Sequence, residues 1–274
     1  MLSRSFLRKI QYFFIMVHTD RLHVAAVYVL ASFLFVHLFH GLSYNSVIVV
    51  LCFSFLCVGG YLINRFFDRA ADSVNEKHLA VISKNILHLG LLFITLPSLV
   101  FLFSGRPVLP YLFLALLTVL YSTSPRCLIN IRIKDIWFLK NIYAAGVWFL
   151  SWVFIIAWYE EAASLYDAFH ELLPNFFIVL FYEVLWDIRD IKGDMAFGTK
   201  TVATLFGETI SKGVAMCSLF LAFVSSDSVA SLTLVPLLFL IPYTIFITSK
   251  SPNYLFHLAI YYQILCIIVA FIRG

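Results

Sequence analysis

The chain has 274 residues, of which 62% are hydrophobic and only 12% are charged. With a mean hydropathy of +0.95, this composition is far too apolar for a soluble domain of the same length, so that class is excluded. The formal net charge is only +4, and membrane topology accounts for the basic residues, so we expect no nucleic-acid partner. The composition therefore indicates an integral membrane protein surrounded by membrane lipid.

Nine apolar runs follow one another along the chain. They lack the alternation of barrel strands, so we predict an all-α integral membrane protein with nine transmembrane helices. The fourth, sixth and seventh runs are shorter than the roughly 20 residues of a full span, and we expect their helices to be extended or broken. Residues 1–274 form a single membrane-embedded domain, of which residues 1–22 are a cytoplasmic N-terminal segment. The runs are His23 to Leu42, Val47 to Ile63, Ile86 to Phe103, Val108 to Tyr121, Ile136 to Tyr159, Leu172 to Trp186, Gly213 to Val224, Ala230 to Thr248 and Tyr254 to Ile272.

If the chain crosses the membrane nine times, its basic residues are divided unevenly between the two sides. One side receives almost all lysines and arginines, while the other receives only Arg106 and Arg273. Cytoplasmic loops of membrane proteins carry the excess of such residues. We therefore predict that the N-terminus is cytoplasmic and that the C-terminus lies on the opposite side.

An acidic motif follows the second apolar run. Asn64, Asp68 and Asp72 recur every four residues, so in a continuing helix they lie on one face, each about 6 Å further along the axis. Two carboxylates and an amide then point in the same direction at a membrane boundary. Charged groups in such a position are costly and tend to be functional.

A second acidic cluster, Asp187, Asp190 and Asp194, follows the sixth run. Asp190 and Asp194 lie 122 residues after Asp68 and Asp72, pair for pair. The same interval separates two further pairs of residues, Tyr121-Ser122 and Tyr243-Thr244. This match predicts a four-helix unit that is used twice with the same topology, plus a ninth helix. Both motifs then lie on the cytoplasmic side and face one site.

The residue types of the two motifs predict a metal site. Carboxylates on two facing helices repel each other unless a cation lies between them. Oxygen ligands from Asp and Asn suit a hard ion, and Mg²⁺ usually binds a few carboxylates while phosphate oxygens and water complete its shell. A phosphate-bearing substrate is therefore implied. Basic residues of the adjoining loops can neutralise the remaining phosphate charge, among them Arg126, Arg132, Lys134, Arg189 and Lys192.

The two motifs together resemble those of the UbiA superfamily of intramembrane prenyltransferases. The resemblance rests on Asn64-x-x-x-Asp68-x-x-x-Asp72, on the cluster from Asp187 to Asp194, and on the Gly198-Thr-Lys200-Thr that follows. It spans the chain, with nine helices, Tyr121-Ser122 before a basic loop and Asp20-Arg21 at the start of the first helix. It implies a helical bundle around a central cavity, which opens sideways to lipid and binds a prenyl diphosphate through Mg²⁺.

The resemblance also implies roles for single residues, with Asp68, Asp72, Asp190 and Asp194 as the catalytic carboxylates. One Mg²⁺ would be bound by Asn64, Asp68 and Asp72, and a second by Asp190 and Asp194, with Asp187 nearby as a further metal-binding residue. Basic residues would contact the diphosphate, and aromatic faces would line the substrate cavity and stabilise an allylic cation. The basic residues are Arg21, Arg126, Arg132, Lys134, Lys140, Arg189 and Lys192, and the aromatic residues are Tyr121, Tyr143, Trp148, Tyr182 and Trp186.

On this interpretation the chain is an enzyme that transfers a prenyl group from a polyprenyl diphosphate to a lipid-soluble or amphiphilic acceptor, such as an aromatic quinone precursor. Two other functions would use the same residues, namely transport of a divalent cation or phosphate ester, and terpene cyclisation on the same scaffold. Against transport, the acids cluster on one side of the membrane rather than at its midplane. A purely structural network of salt bridges with Arg65, Arg69 and Arg189 would also account for the acids.

Overall fold

The computed structural model describes residues 22–75, 85–123, 133–137, 139–226 and 239–273. The predicted diphosphate contacts Arg21, Arg126 and Arg132 lie outside these residues. Asp72 belongs to a described helix, but the prediction that its side chain binds a metal also lies outside the described part.

Nine α-helices and no β-strand lie within the described residues, so the predicted all-α fold is confirmed for this part of the chain. A 3₁₀ turn at Ile133–Asp135 precedes the fifth helix, and a π-helical turn at Ile155–Tyr159 prolongs it. The helices are α1 (Leu22–Phe39), α2 (Tyr44–Asn75), α3 (Asn85–Phe103), α4 (Leu109–Ser122), α5 (Leu139–Phe154), α6 (Leu165–Ala196), α7 (Val202–Val224), α8 (Leu240–Phe246) and α9 (Asn253–Arg273).

Six of the described helices are long and apolar enough to cross a membrane, namely α2, α3, α5 with its π-helical turn, α6, α7 and α9. Helices α1 and α4 are apolar but shorter, and the described part of α8 has seven residues. A bundle of several membrane-crossing helices is therefore supported, while the number of nine spans stays a prediction.

Three helices extend well beyond the apolar runs of the sequence. Helix α2 continues to Asn75, so Asn64, Asp68 and Asp72 do belong to one helix at four-residue spacing. The apolar run marks the part of a helix that lies in lipid or core, whereas the backbone hydrogen bonds continue through polar residues with adequate helix propensity. Helices α6 and α7 are longer than their runs for the same reason.

Helix α7 has a defined start and a kink. The side chain of Thr201 accepts a hydrogen bond from the backbone N–H of Thr204 at 3.1 Å, which satisfies a donor at the helix start. Gly207 then interrupts the helical geometry with φ of +81°, a conformation that glycine adopts without steric cost. The expectation that the seventh helix would be extended or broken is thus confirmed on both counts.

Helices α2 and α3 pack very closely because glycines meet at their contact. A Cβ atom on Gly59 would lie 2.8 Å from the carbonyl oxygen of Gly90. Towards the start of α2, Phe53 contacts Phe101 near the end of α3, with ring centroids 6.1 Å apart. The two helices therefore run antiparallel. Helix α6 packs mainly on α5 and α7, and α1 packs on α9.

Candidate active site

A cavity of about 200 Å³ is enclosed mainly by α1, α2, α5, α6 and α9. Carboxylates and lysines gather at the end where α2 and α6 finish, which we call the motif end, and the rest of the lining is largely apolar. The cavity brings both acidic motifs into one site, as the sequence predicts. The predicted residues in its wall are Asn64, Asp68, Tyr121, Lys134, Lys140, Trp148, Tyr182, Trp186, Asp187, Asp190 and Asp194.

On the α2 side of the cavity, Asn64 and Asp68 share one lysine. The Nζ atom of Lys134 donates a hydrogen bond to Asn64 Oδ1 at 3.2 Å and forms an ion pair with Asp68. Ser122, the last residue of α4, also donates from its Oγ to Asn64 Oδ1 at 3.1 Å. Lys134 is buried, and a buried ammonium group is tolerated only beside negative charge. The 3₁₀ turn therefore holds Lys134 against the first motif.

On the α6 side, a second lysine connects two aspartates. The Nζ atom of Lys140 donates to Asp187 Oδ1 at 2.7 Å and to Asp194 Oδ2 at 3.4 Å. The other oxygen of Asp187, Oδ2, accepts a hydrogen bond from Asn141 Nδ2 at 2.9 Å. Lys140 and Asn141 lie in the first turn of α5, which begins at Leu139. The start of α5 and the end of α6 are thus joined at the motif end.

Arg189 binds the neighbouring Asp190 and stacks on Trp186. Its Nε and Nη2 atoms donate to the two carboxylate oxygens of Asp190 at 2.7 and 2.6 Å. Its guanidinium carbon lies 3.8 Å from the centroid of the Trp186 ring, within the range of a cation–π contact. A bidentate pair of this kind fixes the direction of the carboxylate. The structure thus gives Arg189 the role of orienting Asp190, and its contact with a diphosphate stays a prediction.

Lys192 and Tyr143 lie away from the main cavity. Lys192 is exposed and is absent from the described wall of the cavity. The ring of Tyr143 stacks on that of Tyr121, with centroids 5.8 Å apart and planes inclined by 15°. Tyr143 lines a second cavity instead, which shares Tyr121 and Trp148 with the first. The role of Tyr143 in contact with substrate therefore stays a prediction.

The other predicted aromatic residues are held by contacts with neighbouring helices. The hydroxyl group of Tyr182 donates to the backbone carbonyl of Ala259 at 3.1 Å, which connects α6 to α9. Trp148 packs edge-on against Tyr28 of α1, with ring centroids 5.1 Å apart. Trp186 packs against His257 of α9 at 5.5 Å. These contacts fix large aromatic rings of α5 and α6 in the cavity wall.

Several residues of the cavity wall are absent from the sequence-based prediction, namely Tyr61, Trp152, Asn175, Glu183 and Gln263. Glu183 precedes Asp187 by one helical turn, so the same four-residue spacing could have revealed it. Asn175 and Gln263 are polar residues inside apolar helices, which is itself a sign of function in a membrane. Asn141, which binds Asp187, was also missed, because the contact joins positions 46 residues apart and leaves no local pattern.

The donor atoms at the motif end fit a Mg²⁺ ion that also binds phosphate. Among the described residues, no group of three or more His, Cys, Asp and Glu side chains is arranged as a metal site. Mg²⁺ does not require such a cage, because it commonly binds one or two carboxylates and completes its shell with water and substrate phosphates. Asp68 with Asn64 on one wall, and Asp190 with Asp194 on the other, supply such oxygen ligands.

A family model described as the UbiA prenyltransferase family matches residues 21–268 of the chain. The chain belongs to this family. The resemblance inferred from the two aspartate motifs is thereby confirmed, and with the long apolar helices it identifies an integral membrane protein.

A curated relative of this UbiA-family chain is digeranylgeranylglyceryl phosphate synthase from Methanobrevibacter smithii. The two sequences are 26% identical over 178 residues, which are 62% of this chain and 61% of the relative. The chain thus matches about three fifths of the length of that protein.

Solved structures of UbiA homologues have the same fold. A UbiA homolog from Archaeoglobus fulgidus bound to GPP and Mg²⁺ superposes with a TM-score of 0.64 and 16% identity, covering 93% of this chain and 97% of the other. A UbiA homolog from the same organism bound to DMAPP and Mg²⁺ gives a TM-score of 0.59 and 17% identity, covering 92% and 99%. At such identity the likeness shows the fold alone, which is a UbiA-like helical bundle.

Proposed function

We propose that this UbiA-family protein is a Mg²⁺-dependent prenyltransferase, which moves a prenyl group from a polyprenyl diphosphate to a lipophilic acceptor. The observation that carries the proposal is one cavity with two acidic motifs and two lysines at one end and aromatic rings along its apolar wall. Family membership and the name of the relative from Methanobrevibacter smithii support the same reaction. The GPP and Mg²⁺ bound by the Archaeoglobus homolog support the donor and the metal.

The acidic residues are proposed to hold two Mg²⁺ ions, one at Asn64, Asp68 and Asp72 and the other at Asp190 and Asp194. When bound, Mg²⁺ supplies positive charge that stabilises the diphosphate as a leaving group. These ligands come from two helices, so both sides of the motif end contribute to one substrate site.

Lys134 and Lys140 are proposed to bind the oxygen atoms of the diphosphate directly. Each ammonium group has three donors, so it can keep one carboxylate partner while another donor turns to a phosphate oxygen. Both lysines line the cavity beside the motifs. They add positive charge on the side of the cavity where the leaving group departs.

The reaction begins when the bond between the first prenyl carbon and the bridging diphosphate oxygen breaks and its electron pair leaves with the diphosphate. An allylic cation remains, and the faces of Tyr121, Trp148, Tyr182 and Trp186 can stabilise its charge. The apolar lining excludes water, which would otherwise capture the cation. A nucleophilic atom of the acceptor then forms a bond to the prenyl carbon and loses a proton.

The acceptor is proposed to be a lipid-soluble or amphiphilic molecule that reaches the cavity from the bilayer. Apolar residues of α1 and α9, among them Leu34 and Ile267, form one wall of the cavity. Such a wall favours an acceptor with a hydrocarbon part. The name of the relative adds a glyceryl phosphate lipid to the aromatic quinone precursor as a candidate acceptor.

The proposed topology has nine transmembrane spans, arranged as two four-helix units and a ninth helix. Helices α2 and α6 each carry one motif near the C-terminal end of their described residues, and each packs closely on the helix that follows it. This matching placement supports the predicted repeat. The N-terminus and the motif end are proposed to be cytoplasmic, because the basic residues concentrate there, and the C-terminus is proposed to lie on the opposite side.

Transport and cyclisation are the competing functions. The charged residues lie at one end of the cavity, whereas alternating-access transporters bind their substrate near the midplane, so the geometry favours an enzyme. A terpene cyclase would use the same diphosphate site and differ only in the nucleophile that captures the cation. The identity of the product therefore separates cyclisation from transfer.

The test is release of diphosphate from prenyl diphosphates of several lengths by purified protein in detergent, with and without Mg²⁺. Wild type is compared with Asp68→Asn, which removes one charge and keeps the shape of the side chain. Asp167→Asn is the matched control, because Asp167 lies exposed at the opposite end of α6. We expect Mg²⁺-dependent release by wild type and control, and a loss of about 10²- to 10³-fold in Asp68→Asn.

Mass spectrometry of the lipid products then decides between the functions. A prenylated acceptor from either candidate class supports transfer, and a cyclic hydrocarbon formed without acceptor supports cyclisation. Absence of release from folded wild-type protein with every chain length and every candidate acceptor would overturn the proposal. Mg²⁺ flux into liposomes by the same protein would then favour a transporter.

A further inference from the structure

Asp187 differs from the other aspartates of its motif in burial and in partners. Its side chain is 2% exposed, compared with 16% for Asp190 and 11% for Asp194. Both of its carboxylate oxygens accept hydrogen bonds from the first turn of α5, at 2.7 Å from Lys140 and 2.9 Å from Asn141. A carboxylate enclosed in this way is suited to holding its partners in place.

Asn141 fixes the direction of this carboxylate. Its side chain is completely buried, and its Nδ2 atom must face Asp187 because an ionised carboxylate only accepts hydrogen bonds. Its Oδ1 atom is buried without a hydrogen-bond partner in the described part of the chain. The amide is therefore placed to orient Asp187 and is removed from the cavity, whose described wall does not include it.

We propose that Asp187 and Asn141 are positioning residues that hold Lys140 for the diphosphate, and that Asp187 is not a metal ligand. The proposal rests on the proposed function, in which the substrate carries this diphosphate. Lys140 lines the cavity with 17% of its side chain exposed. Its shorter bond goes to Asp187, at 2.7 Å, and its longer contact goes to Asp194, at 3.4 Å. Asp187 thus anchors the ammonium group while the group faces the motif end.

Anchoring matters because lysine is a long and flexible side chain. A free lysine loses much rotamer freedom when it binds a phosphate oxygen, whereas an anchored lysine has already lost it. Removal of the Asp187 charge should therefore weaken the binding of the diphosphate group, and it should do so only through Lys140. The requirement for Mg²⁺ should stay the same.

The test measures binding of inorganic pyrophosphate to the purified full-length protein by calorimetry at several Mg²⁺ concentrations. The variants are Asp187→Asn, Lys140→Gln and the double variant, with Asp167→Asn as a control of the same chemistry on the same helix. We expect each single variant to bind pyrophosphate about tenfold to a hundredfold more weakly than wild type. In the Lys140→Gln background, Asp187→Asn should change the affinity by less than about twofold.

The opposite pattern would overturn the proposal. If Asp187→Asn weakens binding in the Lys140→Gln background as well, and higher Mg²⁺ restores the affinity, Asp187 is a metal ligand. If Asp187→Asn fails to fold, Asn141→Ala replaces it in the same comparison of single and double variants. This substitution removes the orienting hydrogen bond and leaves the ion pair of Lys140 and Asp187 intact.

Diphosphate release by the same preparations separates this proposal from the proposed function. If the two substitutions have coupled effects on pyrophosphate binding but the wild-type protein releases no diphosphate, the proposed function alone is refuted. If the wild-type protein releases diphosphate but the two substitutions affect pyrophosphate binding independently, the positioning role alone is refuted. Wild-type protein that binds no pyrophosphate would refute both.

Discussion

At the scale of single residues, Lys134 balances the charge of the first motif and is also a proposed ligand of the diphosphate. Its side chain is 5% exposed, and it contacts Asn64 and Asp68, the two residues of the first motif whose side chains are described. Without a counter-charge, Asp68 would stand in a poorly solvated site. Lys134 thus stabilises the motif and also offers a donor to the cavity.

We expect Lys134→Gln to lower kcat/KM for a prenyl diphosphate by about 10²- to 10³-fold, because a charged donor to the leaving group is lost. The measurement is diphosphate release as a function of substrate concentration. Lys250→Gln is the matched control, since Lys250 is exposed in the loop before α9. An unchanged kcat/KM in folded Lys134→Gln would show that Lys134 has no role in the reaction.

Arg189 offers a second test at this scale, because it orients Asp190 by two hydrogen bonds. We expect Arg189→Lys to raise the Mg²⁺ concentration needed for half-maximal activity several-fold, since lysine cannot form the planar bidentate pair. Arg69→Lys, at an exposed position on α2, is the control. A Mg²⁺ titration that is identical for wild type and Arg189→Lys would mean that the pair does not prepare Asp190 for a metal.

Sequence reasoning found the local part of this site and missed its long-range part. The spacing of Asn64 and Asp68 lies within one helix, so the period of the helix is enough to predict that they share a face. Lys134 was predicted from its charge alone, because its contact with Asp68 joins positions 66 residues apart. The role of Asn141 depends on how α5 meets α6, and no pattern within either helix encodes that contact.

At the scale of elements, the apolar runs predicted where the helices lie but underestimated the lengths of several helices. Hydropathy detects the part of a helix in apolar surroundings, and the residues of the two acidic motifs lie in the polar extensions of α2 and α6. Hydropathy also says nothing about how closely two helices approach. Gly59 and Gly90 allow α2 and α3 to approach closely. The position of α2 in turn determines where Asn64 lies.

We expect Gly59→Ala to destabilise the protein by about 1–3 kcal/mol, because a methyl group would overlap the backbone of α3. Gly213→Ala is the matched control, since a Cβ atom at this helical position meets no heavy atom within 4 Å. That change should be neutral or stabilising by about 0.5–1 kcal/mol. Thermal unfolding in detergent measures both. Equal melting temperatures for the two variants would show that α2 and α3 can separate at no cost.

At the scale of the whole molecule, the bundle separates two kinds of chemistry along its length. Ion pairs and polar residues surround the motif end, and aromatic and aliphatic side chains surround the rest of the cavity. The antiparallel course of α2 and α3 places the turn after Phe103 at the end remote from the motifs. A diphosphate and a hydrocarbon chain each find matching surroundings only if the substrate lies along the bundle with its charged end at the motif end.

This polarity predicts the orientation of the protein in its membrane. Lys192 and Ser104 are both exposed and lie at opposite ends of the bundle. To test the orientation, the five native cysteines are replaced, and a single cysteine is then introduced at one of these two positions. In sealed vesicles with the outer side exposed, we expect an impermeant maleimide to label Ser104→Cys at once and Lys192→Cys only after permeabilisation, because we propose that the basic end is cytoplasmic. The reverse pattern would invert the proposed topology. Labelling of both positions from one side would contradict the opposite placement of the two ends.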